Sequence, residues 1–291
     1  MTLAAPMRCS GLAEELGEPM IGTTEHRERW LLVEDRSAWG EKAVRDVLGA
    51  ELEAAAKGRG LRLLLVRRRE GDPAADAVRR VFLVDTATGR MAVRTVTETD
   101  ELAGLLDMDL DEFGAALSDP IFLVCTNGKR DACCALRGRA LMGALAADHA
   151  ERVWECTHLG GHRFAGNLVC HPDCLVYGRV GPADGPRLAD AYLDGRVDPE
   201  LMRGRSAWPP PAQVAEQWVR RRFGLDGLAA VSLVDASVEA AGATVILATT
   251  DGEQHRVRLT RVAAEPARPI SCRADVDETP VHWVVEPGGA G

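Results

Sequence analysis

Two short stretches hold most of the residues able to bind a soft or borderline metal. "CTNGKRDACC" at 125–134 carries Cys125, Cys133 and Cys134, and "ECTHLGGHRFAGNLVCHPDC" at 155–174 carries three cysteines and three histidines. Most of the chain's eight cysteines fall between residues 125 and 174. Thiolate and imidazole suit zinc and iron–sulfur centres, and such crowding favours a metal or redox site over scattered core thiols. Three familiar spacings fit poorly. A zincin helix needs His-Glu-x-x-His, but Leu159 stands where the glutamate belongs and Gly160-Gly161 disfavours a helix. A zinc finger needs its cysteines closer together than Cys125 and Cys134, and its first histidine nearer than His158. The Cys-x-x-Cys of a thioredoxin site is absent from the chain.

Composition narrows the function classes. At 291 residues, two or three structural units are expected, and 46% apolar with 27% charged residues is a globular balance. A net charge of −9 and a pI near 5.4 argue against a general nucleic-acid or anionic-membrane binder. The "VRRRE" and "WVRRRF" runs read as solvated faces. No apolar stretch approaches the length of a membrane span. Glu14, Glu15 and Glu18 interrupt the apolar run that a signal peptide would need, so a cytoplasmic location is expected. In that reducing compartment the cysteines are poor candidates for disulfides.

The elements that must position these residues show a repeated order. "RWLLVED" reads as a strand, "WGEKAVRDVLGAELEAAAKGRG" as one helix, and "LRLLLVRRR" as a strand followed by the polar loop "EGDPAADA". "RVFLVDTATGRMAVRTV" reads as a hairpin turning at 87–89, and "DELAGLLDM" as a helix. From Asp119 the order returns. "PIFLVCTN" is a strand, "CCALRGRALMGALAADHA" a helix, "RVWECTH" a strand, "NLVCHPDCLVYGRV" a hairpin about Pro172-Asp173, and "GPRLADAYLDG" a helix. This is the layout of a thioredoxin fold, twice in tandem. The reading is α/β: an N-terminal thioredoxin-like unit (1–117) without ligands, a thioredoxin-like ferredoxin domain (118–196), and a proline-rich linker with a small α+β C-terminal region (197–291). In the last, "AQVAEQWVRRRFG" reads as a helix, "ATVILATTDGEQHRVRLTRV" as two strands turning at Asp251-Gly252, and "HWVVEP" as a final strand before a frayed tail. "DMDLDEFG" lacks both the glycine and the closing glutamate of a calcium loop.

The motifs "CTNGKRDACC", "HLGGHRFAGN", "YGRV" and "GRSAWPPP", with "RCSGLAEELGEPMIGT" and "RWLLVE" near the start, closely resemble the sucrase/ferredoxin-like family, bacterial relatives of the yeast thioredoxin-like ferredoxins. The resemblance spans nearly the whole chain. It implies a [2Fe–2S] cluster held by Cys125, Cys134, His158 and His162, with Cys133 as an alternative ligand. It implies an electron carrier rather than a catalyst, exchanging electrons with an unidentified redox protein or reductase. Two thiolates and two neutral imidazoles leave the oxidised core uncharged, which favours an added electron, and an imidazole that sheds a proton on oxidation couples the potential to pH. Both histidines come from one five-residue loop and so belong on one iron. Lys129, Arg130 and Asp131 are candidates to tune the site from outside the ligand set. Cys156 reads as a buried thiol, Cys170, His171 and Cys174 as a turn, and Cys9 and Cys272 as core or surface residues. His26, His149, His255 and His282 are assigned no chemistry. Two other classes remain: a zinc-stabilised interaction module using the same ligands, and a thiol oxidoreductase using Cys133 and Cys134 or Cys170 and Cys174.

Overall fold

The computed structural model describes residues 8–68 and 78–290; the expected loop at 70–77 lies outside them. A short helix α1 (Cys9–Glu15) precedes the first unit. There β1 (Arg29–Glu34) is an almost wholly buried apolar run. It pairs in parallel with β2 (Leu61–Arg67) after a helical crossover. The crossover is two helices, α2 (Ala43–Leu48) and α3 (Ala50–Gly58), rather than the single helix expected. Gly49, at φ 90° and ψ 151°, takes the backbone out of helical space between them. β3 (Arg79–Asp85) runs antiparallel to β1 and returns as β4 (Arg90–Val96). Their turn is closed where Asp85 Oδ1 accepts the N–H groups of Ala87 and Thr88, both at 3.0 Å. Two short helices, α4 (Glu101–Leu105) and α5 (Leu110–Phe113), cover this half and lead to β5 (Ala115–Ala116).

The second unit repeats the plan. β6 (Ile121–Cys125) is parallel to β7 (Val153–Cys156) across α6 (Ala132–His149), while β8 (Leu168–His171) is antiparallel to β6 and turns back as β9 (Leu175–Tyr177) before α7 (Asp184–Leu193). In each unit the strands lie side by side as second, first, third, fourth, the thioredoxin-like arrangement. The units join edge to edge. β2 and β7 pair antiparallel at Val66 with Cys156 and Arg67 with Glu155, making one ten-stranded sheet. The core crosses that seam: Trp30, Leu32 and Phe82 of the first unit pack in one cluster with Leu123, Trp154 and Val169 of the second.

The stretch expected to be a linker is built in. Its Met202–Arg205 segment is β10, buried throughout and paired with β9 at the sheet edge. Only then do the prolines act, with Pro210 opening α8 (Pro210–Phe223), where a fixed φ and a missing N–H cost nothing. α8 packs Ala212, Ala215 and Val219 on a four-stranded antiparallel sheet of β11 (Val231–Val238), β12 (Gly242–Thr249), β13 (Gln254–Ala263) and β14 (Val281–Ala290). β11 was not expected, because its half-exposed "VSLVDASV" carries little apolar alternation. The expected frayed tail is strand instead, since β14 runs to Ala290 and pairs it with Val257.

Candidate metal centre

The ligand residues sit where parallel strands meet the start of a helix. Cys125 ends β6, and α6 begins seven residues later under an N-cap, with the Asp131 carboxylate accepting the Cys133 N–H at 2.9 Å. Gly138 lets α6 lie against that strand end, because a Cβ there would stand 2.1 Å from the Cys125 carbonyl oxygen. The next strand, β7, ends at Cys156 and releases the loop carrying His158 and His162.

The sulfurs of Cys125 and Cys134 and a ring nitrogen of His158 lie within 4.8 Å of one another. His162 is not within that radius of all three, but its ring stacks on His158 at 4.1 Å between centroids and 13° between planes. Both cysteines are fully buried and both histidines half-buried, so the imidazoles form the outward side of the group. The Cys134 thiol donates toward Cys125, whose sulfur also meets His158 and the Leu159 N–H; together these hold Cys125 well below the usual thiol range despite its burial. The remaining proton stays on Cys134, pushed up by that hydrogen bond and by burial. His162 is pushed down to about 4 by burial and by His158, against the opposing pull of Asp131. The Nδ1 atoms of both histidines are buried without a hydrogen-bond partner among the described residues.

Cys133 and Cys134 are neighbours with different surroundings. Cys134 joins Cys125 and His158, while Cys133 meets Cys9 at 3.6 Å and Cys272 at 3.3 Å. Asp131 is fully buried between the two groups, its Oδ2 at 3.9 Å from His162 Nδ1. Arg130 bonds Glu41 at 3.2 Å, and Lys129 is exposed, with no bond to the site among the described residues. Cys156, Cys170 and Cys174 are buried thiols whose protons burial holds on. The Cys174 sulfur sits 2.9 Å from His171 Nδ1, and no third metal-type ligand joins them among the described residues.

Sequence reasoning missed one supporting residue, Arg203. Its guanidinium is buried and donates to the Gly160 carbonyl (3.1 Å), Asn167 Oδ1 (2.8 Å) and the Thr23 carbonyl (2.8 Å). It thus clamps the histidine loop from beneath. Gly161 is required there on two counts: its φ is +68°, and a Cβ would stand 2.4 Å from the guanidinium. Burial lowers Arg203 to about 9, with Arg163 adding to the fall, while Cys125 and Cys134 favour its charge. The available signal was its place immediately before "GRSAWPPP".

A thioredoxin-like α/β protein with a buried cysteine pair beside a His-x3-His loop has the makings of a ferredoxin-like protein. A family model for sucrase/ferredoxin-like proteins matches residues 20–204, and the chain belongs to that family. It is similar to the curated "Altered inheritance of mitochondria protein 32" of Candida glabrata, 27% identical over 119 residues, covering 40% of this chain and 36% of that protein. The protein of the same name from Meyerozyma guilliermondii is 32% identical over 100 residues, covering 30% of this chain and 35% of the relative. The chain therefore spans about a third of the length of these relatives. No solved structure gives a significant match.

Proposed function

We propose that the protein is an electron carrier whose [2Fe–2S] cluster is held by Cys125, Cys134, His158 and His162. The observation that carries the reading is a stacked pair of half-buried imidazoles, each with a buried Nδ1 that lacks a hydrogen-bond partner among the described residues, beside two fully buried thiols, one poised as a thiolate. Two thiolates and two imidazoles are the donor set of a Rieske-type centre, so the residues present fit the group. When bound, such a cluster takes up one electron at a potential of about −150 to +300 mV, against roughly −400 mV for all-thiolate plant-type ferredoxins.

The chain's own residues do the rest. Cys125 and Cys134, at the strand end and the helix start, supply charge from the buried side. An imidazole binds metal through a neutral ring nitrogen, and His158 and His162 are placed to offer one each. Asp131 Oδ2, near His162 Nδ1, is placed to hold a proton of that ring, which supports coupling of electron and proton. Arg203 fixes the loop that carries both rings. On the outward side, His158 lines an open cleft of about 570 Å³ bordered by Glu25, Arg27, Glu41, Lys42 and Arg130. That rim of mixed charge suits docking of a redox protein or reductase. The reducing state that the thiolates require fits the cytoplasm.

The test is elemental and acid-labile sulfide analysis of protein purified without oxygen. The expected result is two iron and two sulfide per chain in the wild type and in Cys133→Ser, with both lost in Cys125→Ser, Cys134→Ser, His158→Ala and His162→Ala. Iron retained in both histidine variants would remove the mixed ligation from the account.

A further inference from the structure

Outside that group, the structure gathers three more cysteines from distant parts of the chain. Cys9 comes from α1, Cys133 from the first turn of α6, and Cys272 from the irregular 264–280 segment. Their sulfurs form a nearly equilateral triangle, with separations of 3.6 Å (Cys9 to Cys133), 3.3 Å (Cys133 to Cys272) and 3.5 Å (Cys272 to Cys9). They are not ordinary core thiols: among the described residues, the buried apolar cluster around Cys9 and Cys133 contains only Ala165 besides. A disulfide cannot explain the arrangement, because one bond leaves the third sulfur over.

The surroundings favour one anionic sulfur, that of Cys133, while hydrogen bonding, burial and the nearby Asp131 hold the protons on Cys9 and Cys272. The Ser10 hydroxyl and backbone N–H donate to Cys133, and the Cys9 N–H donates to Cys272. Arg137, paired with Glu14, adds a cation whose charge Glu14 favours most and Cys133 and Cys9 favour further. Asp131 completes the group. Its carboxylate is fully buried, takes the Cys272 N–H at 2.9 Å through Oδ2, and reaches to 4.0 Å from Cys9 Sγ. A buried carboxylate beside three sulfurs is costly unless a cation offsets it.

We propose that Cys9, Cys133, Cys272 and Asp131 form a second metal site, binding one Zn²⁺ in a tetrahedral set of three thiolates and a carboxylate. All four donor atoms lie within 4.8 Å of one another. Zinc holds thiolate at about 2.3 Å, which puts tetrahedral sulfurs a little under 4 Å apart, close to the spacing already present. Three thiolates favour zinc over harder cations. The ion ties α1 and the 264–280 segment to the helix start that also carries Cys134, so it braces the neighbouring ligand group without belonging to it. Asp131 Oδ2 also faces His162 Nδ1 at 3.9 Å, so the two groups share that carboxylate, while zinc and iron contents test them separately.

The test is metal content together with cobalt substitution, on the full chain expressed with both iron and zinc supplied. The expected result is one zinc per chain in the wild type. Cys272→Ser and Cys9→Ser each lower it at least fivefold while iron and visible absorption persist, and Cys125→Ser loses iron but keeps zinc. Cobalt in place of zinc gives thiolate charge-transfer and tetrahedral ligand-field bands that vanish in Cys272→Ser. Cys272 is exposed, so its replacement leaves the core intact if Cys9→Ser fails to fold. Wild-type protein without zinc and without those cobalt bands would overturn the proposal, as would zinc lost with Cys125→Ser and retained in Cys272→Ser. Colourless protein holding zinc at both groups would support this site and contradict the electron-carrier reading.

Discussion

At the scale of single residues, the adjacent thiols of Cys133 and Cys134 point to two separate groups, and Asp131 stands between them. The crowding of ligand types into two short stretches drew attention to them, and the family resemblance singled out Cys125, Cys134, His158 and His162. Local spacing could not reveal Cys9 and Cys272, whose meeting with Cys133 depends on contacts spanning more than a hundred residues. Arg203 was hidden for the same reason. Replacing it with Met removes a buried cation near the thiols and a clamp on the histidine loop. The expected effect is a potential lower by on the order of 50–100 mV, about 1–2 kcal/mol of electrostatic interaction. A spectroelectrochemical titration at fixed pH checks it, and an unchanged potential would count against an electrostatic role for Arg203. His171 gives a separate prediction. Burial lowers its pKa to about 3, below the usual value near 6.5. The unfolded chain therefore binds the extra proton first: the stability from keeping the ring neutral is complete above about pH 6.5 and fades toward pH 3 at about 1.4 kcal/mol per pH unit. Denaturant midpoints at pH 7 and pH 4.5 should fall less in His171→Phe than in wild type.

At the scale of elements, most strands and helices were legible, since buried runs such as β1 and β6 and the long proline-free stretch of helix formers in α6 declare themselves by pattern. The misses have physical causes. Apolar periodicity continues across Gly49, so one helix was expected where a positive φ makes two. The prolines at 209–211 signalled a linker, but they follow β10, which was too short and too polar in sequence to stand out. Gly138 is the element-scale hinge of the metal centre. Gly138→Ala forces α6 off the end of β6, with an expected loss of about 1–3 kcal/mol in unfolding free energy. Iron content should fall with it, since Cys125 and Cys134 ride on the two elements being separated. Thermal denaturation and iron assay together check this; a Gly138→Ala variant of wild-type stability would show that the strand end and helix are not packed as described.

At the scale of the whole molecule, the two thioredoxin-like units are halves of one sheet. The order within each unit was readable because each repeats the same sequence of elements, but the β2–β7 seam was not, because edge pairing leaves no local pattern. Trp154 holds that seam. It meets Phe82 of the other unit edge-to-face at 5.3 Å, with Arg68 and Arg80 over its ring at 4.8 Å and 4.5 Å. Trp154→Ala should cost about 3–5 kcal/mol, with both units still unfolding in one transition by calorimetry. Trp154→Phe should cost much less, because the indole N–H has no hydrogen-bond partner among the described residues. The first unit carries no cysteine between residues 27 and 117, so the account places all redox chemistry in the second. The most direct test of that claim is electron paramagnetic resonance of the reduced protein, prepared without oxygen and read for nitrogen hyperfine coupling. The account predicts a two-iron signal of Rieske type, with coupling to two imidazole nitrogens that falls to one when His158 or His162 is replaced by cysteine and disappears when both are. A silent, colourless protein, or a two-iron signal with no nitrogen coupling, would contradict it.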